Sequence, residues 1–196
     1  KVPKDQEKGE YIITPAPVYD ENDNVIVQTA PNGAKTYYTY DAADQLIVAK
    51  DPKDSESSPE RITTYKYDLV GNLIKKTEPA GNLTPDDPDD YTTTYAYDEL
   101  DQLKRVTNSL GHVVTYAYDH VGNLVKVTEP KGNETEEEDD YTLKAKYDLN
   151  HRLIEAIDAE GYSVKYAYDY DGNQTHVTNK EGHTLTRVYD ERGLLK

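Results

Sequence analysis

The chain has 196 residues, with 38 Asp and Glu against 22 Lys and Arg; 19 Tyr supply all its aromatic content, and Phe, Trp, Met and Cys are absent. A net charge of −16 argues against a nucleic-acid partner, whose phosphates need clustered Lys and Arg, and against docking on anionic lipid. No apolar run approaches the ~20 residues a membrane-spanning helix needs, and the lack of cysteine excludes disulfide and thiol chemistry.

An apolar content of 35% beside such charge is the composition of a disordered chain. Against that, Tyr, Thr, Val and Ile recur in short alternating runs, which suit a pleated, half-buried surface. The expectation is β-structure with acidic interruptions.

Residues 1–18 read as a charged segment with one candidate strand, Tyr11-Ile12-Ile13-Thr14, completing a degenerate unit. With no initiator Met and no signal-peptide pattern, the chain is expected to be a section of a longer protein. From residue 19 a Tyr-Asp pair recurs, at Tyr19-Asp20, Tyr40-Asp41, Tyr67-Asp68, Tyr97-Asp98, Tyr118-Asp119, Tyr147-Asp148, Tyr168-Asp169 and Tyr189-Asp190. The steps are 21, 27, 30, 21, 29, 21 and 21, so a 21-residue unit carries insertions of 6, 9 and 8. Repeats of such a period mark an array.

The unit at Tyr118 shows the grammar. The run Val114-Thr115-Tyr116-Ala117-Tyr118 precedes a turn from Asp119 to Gly122; a second run, Leu124 to Thr128, leads to a turn at Pro130-Lys131-Gly132-Asn133. Alternating runs bounded by Gly, Asn and Pro read as strands, so each unit is a β-hairpin. Residues 19–196 thus form eight hairpins, the last truncated, with acidic insertions near 54–60, 84–90 and 134–140. Those insertions follow the second turn.

The fourth residue after each Tyr is Asp23, Asp44, Gly71, Asp101, Gly122, His151, Gly172 or Gly193. A three-residue hairpin loop puts this residue in the left-handed region, after a type I turn. Gly goes there freely, and Asp, Asn and His are the enriched alternatives. The Asp of each pair is expected to accept turn N–H groups, rather than to act as an acid or a metal ligand. The pairs Tyr38/Tyr40, Tyr65/Tyr67, Tyr95/Tyr97, Tyr116/Tyr118 and Tyr166/Tyr168 lie two residues apart and share a strand face. One sheet face should then carry two tyrosine columns.

Carboxylates crowd the insertions, and Asp86, Asp87, Asp89, Asp90, Asp139 and Asp140 are calcium candidates, since hard cations take several oxygen ligands. Neither insertion has EF-hand spacing, and a solvated acidic loop is the plainer reading. His112 and His183 follow second-turn glycines, His151 takes the left-handed slot, and no His-Glu-x-x-His spacing involves these, His120 or His176. Asn82, Asn133 and Asn173 begin Asn-x-Thr sequons. There is no nucleophile elbow, P-loop or dinucleotide fingerprint, so neither an enzyme nor a cofactor is expected.

The stretches YDLVGNLIKKTEPAGN from Tyr67, YDHVGNLVKVTEPKGN from Tyr118, YDYDGNQTHVTNKEGH from Tyr168 and YDERGLL from Tyr189 resemble the YD repeats of RHS proteins. That family includes bacterial RHS polymorphic toxins, wall-associated proteins, toxin-complex C components and teneurins. The resemblance implies one extended, curved or spiralling sheet of antiparallel hairpins, part of a shell or open barrel. It implies a non-catalytic scaffold in a secreted or cell-surface bacterial protein, partnered by neighbouring repeats and an enclosed C-terminal toxin domain. The alternative is a surface adhesin, binding glycan, protein or calcium through the tyrosine columns or the acidic rim.

Overall fold

The computed structural model describes residues 14–84, 86, 87, 90–136 and 140–196, and the backbone of 2–5 and 10–12. Two strands, β1 (Val2–Asp5) and β2 (Glu10–Ile12), pair only with each other. Tyr11 and Ile12 of the candidate N-terminal strand therefore lie in a separate small sheet, and Ile13 falls outside the described residues.

The other strands are β3 (Val18–Tyr19), β4 (Val25–Thr29), β5 (Lys35–Tyr40), β6 (Leu46–Asp51), β7 (Arg61–Tyr67), β8 (Leu73–Thr77) and β9 (Thr92–Tyr97); then β10 (Leu103–Thr107), β11 (Val113–Tyr118), β12 (Leu124–Thr128), β13 (Thr142–Tyr147), β14 (Leu153–Ile157), β15 (Ser163–Tyr168), β16 (Gln174–Thr178) and β17 (Thr184–Thr186). They make one all-β, 15-stranded sheet in strict chain order, with β3 and β17 at its edges. The chain forms two compact units, Lys1–Tyr95 with Thr107–Gly111, and Ala96–Val106 with His112–Lys196.

Register sorts the side chains in each unit. In the first, Tyr38 faces Ala49, Ala49 faces Thr63, and Tyr65 faces Lys76. In the second, Tyr116 faces Val127 and Val127 faces Leu143; Ala145 faces Ala156, which faces Val164; Tyr166 faces Val177. Directly paired residues share a face, as do residues two apart on a strand. The rings of the tyrosine pairs therefore collect on one side of each unit, while Tyr37, which faces Val27 and Lys50, lies on the other. The reverse side is polar: Lys66 faces Lys75, Lys126 faces Lys144, and Glu155 stands between Lys146 and Lys165.

A single layer has no closed core. Ala49 is the one buried hydrophobic residue among those described, and the buried polar residues are Thr29, Thr63, Thr92, Thr128 and Thr142. Thr77 and Thr92, and Thr128 and Thr142, pair their hydroxyls across neighbouring strands at 3.0 and 3.2 Å. Cohesion rests on such cross-strand pairs, each contributing ~0.2–1 kcal/mol, summed over hairpins as in other repeat arrays.

Six of the hairpins also hold a β-bulge that strict alternation did not anticipate. Ala117 pairs with Lys126 but Tyr118 with Leu124, so Val125 is the extra residue. Ile26, Ile47, Ile74, Ile154 and Thr175 are extra in the same way. Such insertions bend a strand and raise its twist. The signal was present: doublets such as Leu73-Ile74 and Leu124-Val125 break the period of two.

Candidate functional site

The repeated feature is the joint where one hairpin meets the hairpin before it. It starts at the Tyr-Asp turn. In the unit at Tyr118, Asp119 N–H donates to Asn123 O at 3.0 Å and Gly122 N–H to Asp119 O at 3.1 Å. Asp119 Oδ1 accepts Val121 N–H and Asn123 N–H, at 3.0 and 2.9 Å. The acceptor pattern reaches residues two and four along the chain, the second of them beyond the reach of an ordinary Asx-turn. It recurs at Asp20, Asp41, Asp68, Asp98, Asp148 and Asp190, and Asp169 keeps the longer bond, to Asn173 N–H.

These bonds favour the ionised carboxylate. The Asn123 side chain, with its N–H and that of Val121, holds Asp119 below its ordinary value; Asn173 does the same for Asp169, and the Leu194 N–H leads at Asp190. At Asp20, Asp68 and Asp148 desolvation pushes upward, and the combined turn donors outweigh it, leaving each lowered. The left-handed slot is occupied throughout, with φ of 66° at Asp23, 58° at Asp44, 59° at Asp101 and 60° at His151, and 74–103° at Gly71, Gly122, Gly172 and Gly193.

Six of the Tyr-Asp tyrosines do what their aspartates cannot: they leave their own hairpins. Tyr118 Oη donates to Leu103 O at 3.0 Å, Tyr147 Oη to Leu124 O at 3.1 Å, and Tyr168 Oη to Leu153 O at 2.8 Å. Tyr40, Tyr67 and Tyr189 bond likewise to Val25, Leu46 and Gln174. Every acceptor is the first residue of the second strand in the preceding hairpin. Burial, then neighbouring charge, raises the phenol pKa of Tyr40, Tyr67 and Tyr118, which keeps the donor proton in place.

A second link runs along the turns. Asn24 donates to Asp44 Oδ1 at 2.8 Å, and His151 Nδ1 bonds Asn123 Oδ1 at 2.9 Å. Where the later slot is glycine, a longer side chain crosses instead: Gln45 Nε2 lies 3.0 Å from where a Cβ on Gly71 would stand, and Gln102 Nε2 lies 3.1 Å from that of Gly122. In these two turns a longer side chain meets the absence of one in the next, whereas Gly193 faces the shorter Asn173, whose Oδ1 lies 3.4 Å from its Cβ position.

The two longer insertions are built alike. Each begins in a short 3-10 turn, Gly81–Leu83 or Pro130–Asn133, and returns through Tyr91 or Tyr141 at φ 50° and 48°. A Cβ on Gly81 would collide with Asp90 O, and one on Gly132 with Asp140 O, so close approach rather than φ requires glycine there. Asn133 Nδ2 donates to Val113 O, Thr128 O and Glu129 O, while Thr115 Oγ1 donates to Asn133 Oδ1; Asn82 repeats the set with Ile62, Thr77, Glu78 and Thr64. The two sequon asparagines are anchors. Asn173 Nδ2 is likewise engaged, by Asp169 Oδ2.

Of the calcium candidates, Asp89 and Asp139 lie outside the described residues. Asp87 and Asp90 shape the loop through Asp87 N–H to Thr84 O and Asp90 N–H to Asp87 O, and Asp140 O accepts Thr142 Oγ1. Asp86 is exposed. No group of three or more His, Asp or Glu positioned for a metal ion occurs among the described residues.

Hairpins of one design, joined to their predecessors by tyrosine hydroxyls at six joints, define a tandem β-hairpin repeat protein. The RHS repeat model matches residues 19–56, 97–134 and 147–184, more than half of the chain. The chain belongs to the RHS repeat family. No curated protein matches it. Among solved structures, TcdB2-TccC3-TEV is similar at TM-score 0.65 and 19% identity, over 90% of this chain and 10% of that one. TcdB2-TccC3 without its hypervariable C-terminal region gives 0.66 and 18%, over 91% and 10%. A Photorhabdus luminescens Tc holotoxin pore gives 0.60 and 16%, over 92% and 12%. At such identities the likeness is one of fold, and the chain spans about a tenth of these structures. A structural role as RHS-repeat sheet follows from the family. No helix among the described residues is long and apolar enough to cross a membrane.

Proposed function

We propose that this chain is a section of the wall of an RHS-type shell in an extracellular toxin protein, and that the wall holds polypeptide rather than catalysing a reaction. The observation that carries the reading is the tyrosine joint. Six hairpins each spend a side-chain hydrogen bond on the hairpin before, which extends a sheet and creates no reactive centre. The turn aspartates are committed to backbone N–H groups, so they are scaffold and not acids. An acidic, cysteine-free composition suits an extracellular setting.

The test is protease protection in the full-length protein. Polypeptide enclosed by the wall stays intact under a protease dose that digests it once Tyr118→Phe and Tyr168→Phe loosen the joints. Equal digestion before and after loosening would overturn enclosure. A broad hydrolase panel should return no activity.

A further inference from the structure

Two residues before the Tyr of the Tyr-Asp pair, the interior hairpins carry a second ring, as Tyr38, Tyr65, Tyr95, Tyr116 or Tyr166; β13 carries Ala145 instead. Its partner across the hairpin is Ala156, so two methyl groups meet where Tyr116 meets Val127 and Tyr166 meets Val177. The missing ring leaves a groove of about 370 Å³ on the tyrosine face of the second unit, floored by Ala145 and Ala156 and walled by Val127, Leu143, Tyr147 and Val164. Leu143 is 41% exposed within a strand.

We infer that this groove is a docking site for one aromatic side chain of an extended polypeptide, flanked in that polypeptide by Lys or Arg. The ring requirement comes from the array itself, because the position is one that its sister hairpins fill with a phenol. The pairing of Tyr38 with Ala49 demonstrates that a ring fits over an alanine on this face. The cationic flank follows from charge. Asp158 stands at the groove's edge, its Oδ1 taken by the Glu160 and Tyr162 N–H groups at 3.2 and 2.8 Å, while Lys126 and Lys144 also line it, from strand positions on the reverse face. Tyr162, beside it, already accepts a cation on its ring, with Lys180 Nζ 4.7 Å from the centroid. A chain of net charge −16 attracts basic segments and repels acidic ones, including a second copy of itself. A sugar is the poorer fit: the walls are Val, Leu and Ala, and Tyr147 Oη is spent on Leu124 O.

The inference does not depend on enclosure, since the groove opens to solvent. Its failure would leave the shell reading standing, because protease protection tests that separately. Titrate the full chain with the peptides Lys-Lys-Tyr-Lys-Lys, Lys-Lys-Ser-Lys-Lys and Glu-Glu-Tyr-Glu-Glu, following binding by calorimetry. Burying the ring makes the first bind about ten-fold tighter than the second, and the third does not bind. Ala145→Tyr, which reproduces the Tyr38–Ala49 pair, removes that advantage; Ala156→Val, copying Val127 and Val177, reduces it if the larger residue prevents folding. Asp158→Asn keeps the turn, as Asn179 does in its own unit, and weakens both basic peptides. Equal binding of the first two peptides, or an unchanged advantage in both groove variants, overturns the proposal. So does a dimer of the chain that Ala145→Tyr abolishes, since the occupant would then be a second copy.

Discussion

Tyr118 Oη and Leu103 O, 3.0 Å apart, belong to different hairpins and lie fifteen residues apart in the chain. The same link spans fifteen residues between Tyr168 and Leu153, twenty-one between Tyr67 and Leu46, and twenty-three between Tyr147 and Leu124. An insertion lengthens the chain path without moving the bond. The loops are therefore free to grow where they lie after the second turn, because the joint is made at the other end of the strands.

Removing the hydroxyl alone isolates the value of this link. Tyr118→Phe leaves the ring and strips Leu103 O of its donor, at a cost of about 1–2 kcal/mol. Urea denaturation should give the same loss for Tyr168→Phe, and the two losses should add, being far apart. Tyr116→Phe, on the second column, should cost less.

The left-handed slot makes a sharper demand. Gly122→Val forces a β-branched residue to φ 90°, costing at least about 1–2 kcal/mol, whereas Gly122→Asn, a residue enriched in that region, should cost less. Thermal melting distinguishes the two directly.

Coupling between turns is open to a double-mutant cycle. Gly71→Asp alone crowds Gln45 Nε2; adding Gln45→Asn recreates the Asn24–Asp44 pairing. The double variant should recover about 0.5–1 kcal/mol or more of the single variant's loss.

Asn133→Ala abandons three backbone carbonyls and should cost about 1–3 kcal/mol, with faster protease cleavage near 134–140. Because Asn82 and Asn133 commit their Nδ2 groups to those bonds, the folded chain should resist glycan transfer at both sequons, measured by mass after incubation with a transferase. Transfer should follow only on unfolding.

The pH dependence comes from the lowered turn aspartates. Their folded pKa values lie below the ordinary 3.8, so their contribution is fully present above about pH 4 to 5 and is lost as pH falls through the folded values. For the raised phenols of Tyr40, Tyr67 and Tyr118, ordinarily 10.0, the contribution holds below pH 10 and is lost above it. Melting temperature should be level between these limits and fall on both sides. Asp119→Asn, which keeps an Oδ1 acceptor, should make the acid fall shallower.

Much of this was legible in the residues. The Tyr-Asp period located the hairpins, and the exclusion of β-branched residues from the slot of Asp23, Gly71 and His151 revealed a positive φ before any coordinates. Such constraints are local: a backbone angle restricts the residue that adopts it. The apolar doublet at Leu124-Val125 announced a bulge as well, though alternation alone did not read it. Other features needed the neighbouring strand. Which carbonyl Tyr118 takes, why Asn133 and Gly132 cannot vary, and why Ala145 leaves a groove all depend on atoms from another hairpin. Residue type at one position determined its own backbone and its own face; only pairing across the sheet decided what each side chain met there, because those partners are brought together by register and not by separation along the chain.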